Sequence, residues 1–291
     1  TKYGMHATVL ANIVNVLLNC ILIYGLWIFP RLELVGAAYG TLISRFVMMI
    51  FMIWILNSRA KFKPYFKWLR FKEIQRNLFN KIINLGFPTA MQMLFEVGVF
   101  TAAIWLAGTM GTIDQAANQI ALNLSSMTFM IAVGLGVTAT IRVGNQKGLK
   151  NFTELRRVSL SIFLQVFIIE CVFALAFILL KDVLPVVYID HEEVVNTAAS
   201  LLLIAGLFQL SDGFQVVVLG ALRGLQDVKI PTYITFVAYW IVGFPICYIL
   251  GKVLGYGSQG IWIGLLAGLS VSAILLYWRF NYLSRKLIQT E

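Results

Sequence analysis

The sequence predicts an all-α polytopic membrane protein of about eight transmembrane helices, and three observations carry that reading. First, 59% of the 291 residues are apolar and only 12% are charged, about half the charged share of a soluble domain. Second, the apolar residues gather into eight runs, each long enough to cross a bilayer at roughly 20 helical residues per crossing. Third, the runs are continuous. That suits helices, which close their backbone hydrogen bonds internally, and not the alternating strands of a membrane barrel. A soluble core of this size has no room for so much apolar surface. A soluble enzyme, a disordered chain and a secreted disulfide scaffold are thereby excluded. In a soluble protein the net charge of +10 would suggest nucleic acid. Here the basic residues lie between the apolar runs and set topology instead, so no nucleic-acid partner is expected.

The expected spans are 6–28, 35–57, 83–108, 116–143, 158–180, 194–221, 231–251 and 259–280. The first carries Asn12, Asn15 and Asn19 at helical spacing and ends near Tyr24-Gly25. The second opens on Gly36-Ala-Ala-Tyr-Gly40 and holds Arg45 at depth. Segment 58–82 follows, the longest polar stretch, with eight Lys and Arg residues and Pro64, Tyr65, Phe66, Trp68 and Phe71 among them. It reads as a basic, membrane-hugging cytoplasmic linker. The third span contains Pro88, then Thr89, Gln92 and Glu96 along one face. The fourth carries Gln119, Asn123 and Ser126, and the fifth Glu170 among apolar neighbours. In the sixth, Asp212 has Gln209 and Gln215 three residues to either side. Pro245 marks the seventh, and Gly260-Ile-Trp-Ile-Gly264 opens the eighth. Cys20, Cys171 and Cys247 all lie inside apolar runs, without metal or disulfide spacing.

Arg and Lys cluster in alternate connections: 58–82, Arg142 to Arg157, Arg223 with Lys229, and the tail from Arg279. The opposite loops hold only Arg31, Lys181 and Lys252. By the positive-inside rule both visible ends are cytoplasmic, and Asp182, Asp190, Glu192 and Glu193 are external. The two Gly-x-x-x-Gly pairs lie 224 positions apart, each at the start of a span. As a parallel repeat they match spans one and two with spans seven and eight. Spans three to six then want partners upstream of Thr1, in roughly 140 residues by the same offset. The expected organisation is 1–57 as the last two helices of an N-terminal lobe, 58–82 as linker, and 83–291 as a six-helix C-terminal lobe with its tail.

Of thirteen acidic residues, three lie deep in spans: Glu96, Glu170 and Asp212. An ionisable group at that depth costs several kcal/mol and marks a functional site by default. Glu96 and Asp212 sit on polar faces in a bundle without an intramembrane lysine, so they suit holding a proton or a sodium ion. Glu170, lacking such a face, reads as a structural acid. The amide stripes read equally as cavity lining or as interhelical hydrogen bonds. Motifs of hydrolases, zinc enzymes and P-loop ATPases are absent. An enzyme is therefore not expected, and neither is a channel, for want of a filter or charge ring.

Several segments together resemble the MATE (multidrug and toxic compound extrusion) family, and its NorM-type bacterial branch in particular. They are Leu85-Gly-Phe-Pro-Thr89 through Glu96 and Phe100, Ala116-Ala-Asn-Gln-Ile-Ala-Leu-Asn123, Ala139-Thr-Ile-Arg-Val-Gly144, and Gly220-Ala-Leu-Arg-Gly224 with Asp227 and Pro231. Asn15 to Asn19 and Gly36 to Thr41 add a further match. The resemblance spans nearly the whole chain and corresponds to helices five to twelve of a twelve-helix antiporter. It implies export of amphipathic, often cationic, small molecules across the inner (plasma) membrane in exchange for H⁺ or Na⁺, with no cofactor. It implies Glu96 and Asp212 as the cation site, and Phe100, Gln119, Asn123, Phe129 and Phe208 as cavity-lining residues. Phe208 stands where some members carry Tyr, so a hydroxyl ligand is missing there. A lipid-linked oligosaccharide flippase of the related superfamily is the alternative. It would call for a basic cavity, whereas the spans carry three acids and Arg45.

Overall fold

A computed structural model describes residues 2–26, 30–59, 62 and 76–289. Eight long apolar helices are present among them: α1 Lys2–Tyr24, α2 Glu33–Ser58, α3 Arg76–Gly108, α4 Thr112–Gly148, α5 Phe152–Leu179, α6 Glu192–Gly224, α7 Lys229–Val253 and α8 Gly257–Gln289. A single 3₁₀ turn, Pro185–Val187, interrupts the connection from α5 to α6. The chain is thus an all-helical, multi-pass membrane protein, as its composition demands. Most helices run further than the apolar runs alone imply. α4 continues to Gly148 through the polar Arg142-to-Lys147 stretch. Lys150 (φ 58°) then turns the chain left-handed, and Asn151 caps α5 by accepting from the Glu154 amide at 3.0 Å.

Two compact units divide the chain, Thr1–Phe79 and Asn80–Glu291. The division falls within 58–82, most of which (60–61 and 63–75) lies outside the described residues. Within the first unit α1 and α2 form a hairpin. Asn15 Nδ2 donates to the hydroxyls of Thr41 and Ser44 at 3.3 and 3.4 Å, and Asn19 Nδ2 donates to Asn15 Oδ1 at 3.2 Å. Asn15 thus ties α1 to α2 as interhelical glue, while Asn12 is exposed. Gly36 and Gly40 of α2 let Leu22 and Asn19 of α1 approach their backbones.

In the second unit α6 is the axis, packed against α4, α5 and α8. Of its most apolar window 61% is buried, against 17% in α1 and in α2. Glycines at 206, 213 and 220 make this closeness possible. A methyl group at Gly206 would lie 3.2 Å from Ala174 O of α5, and one at Gly220 would collide with Gly136 O of α4. The apolar core falls into two halves along α6. One gathers Val194 to Phe208 with Trp262, Leu265 and Leu106. The other gathers Val217 to Leu225 with Phe163, Leu276 and Phe280. α7 is irregular, with π-helical turns at Val237–Gly243 and Ile249–Val253 flanking Pro245. Its backbone is approached by Gly260 and Gly264 of α8, at Leu250 and Cys247.

Candidate functional site

Between the two apolar halves lies a belt of buried polar side chains. Residues 209–216 of α6 separate its two core segments and supply Gln209, Asp212 and Gln215. α4 adds Ser125 and Thr128, α5 adds Glu170, and α8 adds Ser272, all buried. Gln209 Nε2 donates to Ser125 O at 3.1 Å and to the Thr128 hydroxyl, tying α6 to α4. Tyr239 of α7 donates to Gln215 Oε1 at 2.7 Å, and the hydroxyls of Ser211 and Ser270 lie 2.9 Å apart. One Asp212 oxygen and both Glu170 oxygens are buried without a protein hydrogen bond. Such groups are rare and costly in a structural role.

Glu96 lies on α3 within electrostatic reach of Asp212. It is half-buried, on the face that Gln92, Val99 and Ala103 press into the bundle. The charges of Glu96 and Glu170 both act on Asp212. The two acids singled out by sequence are thus electrostatic neighbours inside the second unit. Glu170 departs from its expectation. Its own helix face is apolar, but α5 lays its carboxyl against the bare Cα of Gly213, next to Asp212. Arg223 departs too. Its spacing suggests a loop cation, yet it lies half-buried in the last turn of α6, within electrostatic reach of Glu96. Neither position has a local sequence signal, because each depends on which helix is its neighbour.

The remaining residues separate by face. Gln119, Asn123 and Ser126 are exposed on α4, while the adjacent Asn118, Ser125 and Thr128 point inward. Asn118 Oδ1 accepts from the Trp262 ring at 2.9 Å, and Asn123 Oδ1 accepts from the Tyr188 hydroxyl at 2.8 Å. Phe208 is a correction. It is buried in the core, edge-on to Trp262 at 5.1 Å and to Phe100 at 6.0 Å, so it offers a ligand no surface in this arrangement. Phe100 and Phe129 keep partial exposure, and Arg45 is exposed on α2. Among the described residues no three His, Cys, Asp or Glu side chains converge on a metal-sized site.

The belt's fold setting has close parallels. The MatE family model matches residues 88–249, more than half of the chain. A probable multidrug resistance protein NorM of Agrobacterium fabrum is 35% identical over 295 residues, covering 98% of this chain and 63% of that protein. The multidrug resistance protein MdtK of Photorhabdus laumondii is 35% identical over 290 residues, covering 98% of this chain and 64% of its own. The chain therefore spans a little under two thirds of the curated relatives it matches. In solved structures the same helices recur. A multidrug resistance MATE family transporter in an outward-facing conformation superposes with a TM-score of 0.85 at 21% identity, covering 98% of this chain and 63% of that one. The eukaryotic MATE transporter AtDTX14 superposes at 0.83 and 19%, covering 98% and 64%. With the family model spanning all of α4 to α6 and the polar belt between them, this eight-helix membrane chain belongs to the MatE family.

Proposed function

We propose that this chain is the ion-coupling part of a secondary active exporter of amphipathic, often cationic, small molecules. It works in the bacterial inner membrane with both chain ends cytoplasmic, and it does no chemistry on its substrate. Glu96 and Asp212 bind and release the coupling ion, H⁺ or Na⁺. The observation that carries the reading is the polar belt: a buried Asp212 with an unpartnered oxygen, under the charges of Glu96 and Glu170, in an otherwise apolar bundle. Carboxyl groups so placed favour a bound proton or cation in one state of the protein and release it in another. Only such differential affinity couples a gradient to movement. One charge crossing 100 mV supplies about 2.3 kcal/mol. A sodium ion at Asp212 would draw its other ligands from amide, hydroxyl or water oxygens, which suit a hard cation. Phe100 and Phe129, both partly exposed, and the exposed Gln119 and Asn123 supply the substrate-facing surface. The lysines and arginines gathered at the α4–α5 and α6–α7 connections and in the tail support the cytoplasmic orientation. The test is dye efflux from cells expressing the complete gene, under imposed pH and Na⁺ gradients in turn. Efflux should follow one gradient. Efflux that follows neither refutes the proposal.

A further inference from the structure

Arg223 is a half-buried cation in the last turn of α6 that the coupling site does not use. A guanidinium removed from water is costly unless carboxylates or several acceptors receive it. Here Nη2 donates to Gln92 Oε1 at 3.2 Å, while Nε is buried with no hydrogen-bond partner. Among the described residues no carboxylate lies within ion-pair distance of it. Glu96 is nonetheless the acid whose charge acts on it most strongly, and Glu96 has no hydrogen-bond partner of its own among these residues.

The geometry between them is that of one helical turn. Gln92 and Glu96 are four residues apart on α3, one above the other, so a guanidinium resting on Gln92 lies about one helical turn from the carboxylate. Gln92 is fixed in that orientation. Its Nε2 donates to Val228 O at 3.0 Å and to the Thr232 hydroxyl at 3.1 Å, which leaves Oε1 for Arg223. The Thr232 hydroxyl in turn lies 3.0 Å from Pro88 O, the carbonyl at the proline of α3. The resting place of Arg223 is therefore built from α3 and the start of α7. A guanidinium carries its charge at all physiological pH values, so it cannot leave the site by losing a proton.

We infer that Arg223 is a tethered competitor for Glu96. It rests on Gln92 while the coupling ion or proton occupies the carboxylate. It moves one turn toward Glu96 as that ion departs, and so sets the concentration at which the gradient drives export. This rests on the assignment of Glu96 to coupling. A unit charge at this separation repels a cation at Glu96 enough to weaken its binding about ten- to a hundredfold.

The experiment uses the complete transporter in proteoliposomes, with the driving ion identified by the gradient measurement above. It reads the ion concentration that gives half-maximal dye efflux. Arg223→Gln should lower that concentration about ten- to a hundredfold and slow turnover, because the ion binds well and leaves poorly. Arg223→Lys, which keeps the charge, should restore the value toward the wild type. Gln92→Met removes the resting acceptor and sends Arg223 onto Glu96, so it should raise the half-maximal concentration. Damage to packing alone would move both variants the same way. An unchanged or raised value in Arg223→Gln, or equal signs for the two variants, overturns the inference while leaving the carboxylate site standing. Should Arg223→Gln fail to fold, Gln92→Met alone decides, since an unchanged or lowered value is the overturning result. If Glu96→Gln is still driven like the wild type, the coupling assignment falls and this inference falls with it.

Discussion

Asp212 reaches the belt with amides on its own helix face, and Glu170 reaches it with none. That difference explains what local sequence could and could not show. Gln209, Asp212 and Gln215 repeat every three residues, so α6 carries its own polar level and announces it. Glu170 is flanked by apolar residues, and its place depends on Gly213, whose missing side chain leaves room for a carboxyl. Phe208 failed as a cavity residue for a related reason: an aromatic on α6 is close to every neighbour, and Trp262 and Phe100 cover it. Two outcomes follow at this scale. Glu96→Gln and Asp212→Asn, made in the complete transporter at matched expression, should each abolish gradient-driven efflux while the protein still inserts. Glu170→Gln should be milder. Wild-type drive in both of the first two would return those acids to a structural role. A methyl group at Gly213 would lie 2.6 Å from Glu170 Cγ and Oε1. Gly213→Ala should therefore cost about 1–3 kcal/mol as overpacking. In thermal melts Glu170→Ala should recover part of that loss, whereas additive losses would mean the two residues do not press on each other.

Helix number and order were legible because a membrane span is a matter of length and composition. Helix irregularity was not. The π-helical turns of α7 have only Pro245 as a sequence mark, and they form where Gly260, Gly264 and Gly268 of α8 press against α7. The repeat is visible in packing as well as in letters. Gly36 and Gly40 meet Leu22 and Asn19, just as Gly260 and Gly264 meet Leu250 and Cys247. The glycine pairs are 224 positions apart (260 − 36), while the residues they meet are 228 apart (250 − 22). The chain between these contacts is thus four residues shorter from α7 to α8 (250 to 260) than from α1 to α2 (22 to 36). The tightest crossing is elsewhere, where α4 and α6 bring Gly136 and Gly220 together and Thr140 reaches Gly220 O at 2.8 Å. Backbone cannot step aside as a side chain can. Gly220→Ala should accordingly cost about 3 kcal/mol or more. Gly134→Ala, two residues from Gly136 and facing open space, should change stability by no more than about 1 kcal/mol, and in the favourable direction. Comparable melting temperatures for the two variants would show that this crossing is not a close one.

At the scale of the whole molecule, the three deep acids, Arg223 and both apolar halves of the core all belong to residues 80–291. Helix association in a membrane is driven by close packing and interhelical hydrogen bonds, since lipid tails are as apolar as leucine. That stability should therefore follow burial. α6 and α8 have 61% and 56% of their most apolar windows buried, while α1 and α2 have 17% each. Residues 80–291 should then fold as an independent unit. Expressed alone and purified in detergent, they should melt cooperatively within about 5 °C of the 291-residue chain, because the contacts that break on heating are their own. Neither piece should drive ion-coupled efflux in liposomes, since alternating access moves one bundle against another and a single bundle has nothing to move against. The melt and the efflux assay test separate steps. Non-cooperative melting of 80–291 beside cooperative melting of 1–291 would show that α1 and α2 complete the fold. Gradient-driven efflux by 1–291 alone would show that the eight helices already contain both moving parts.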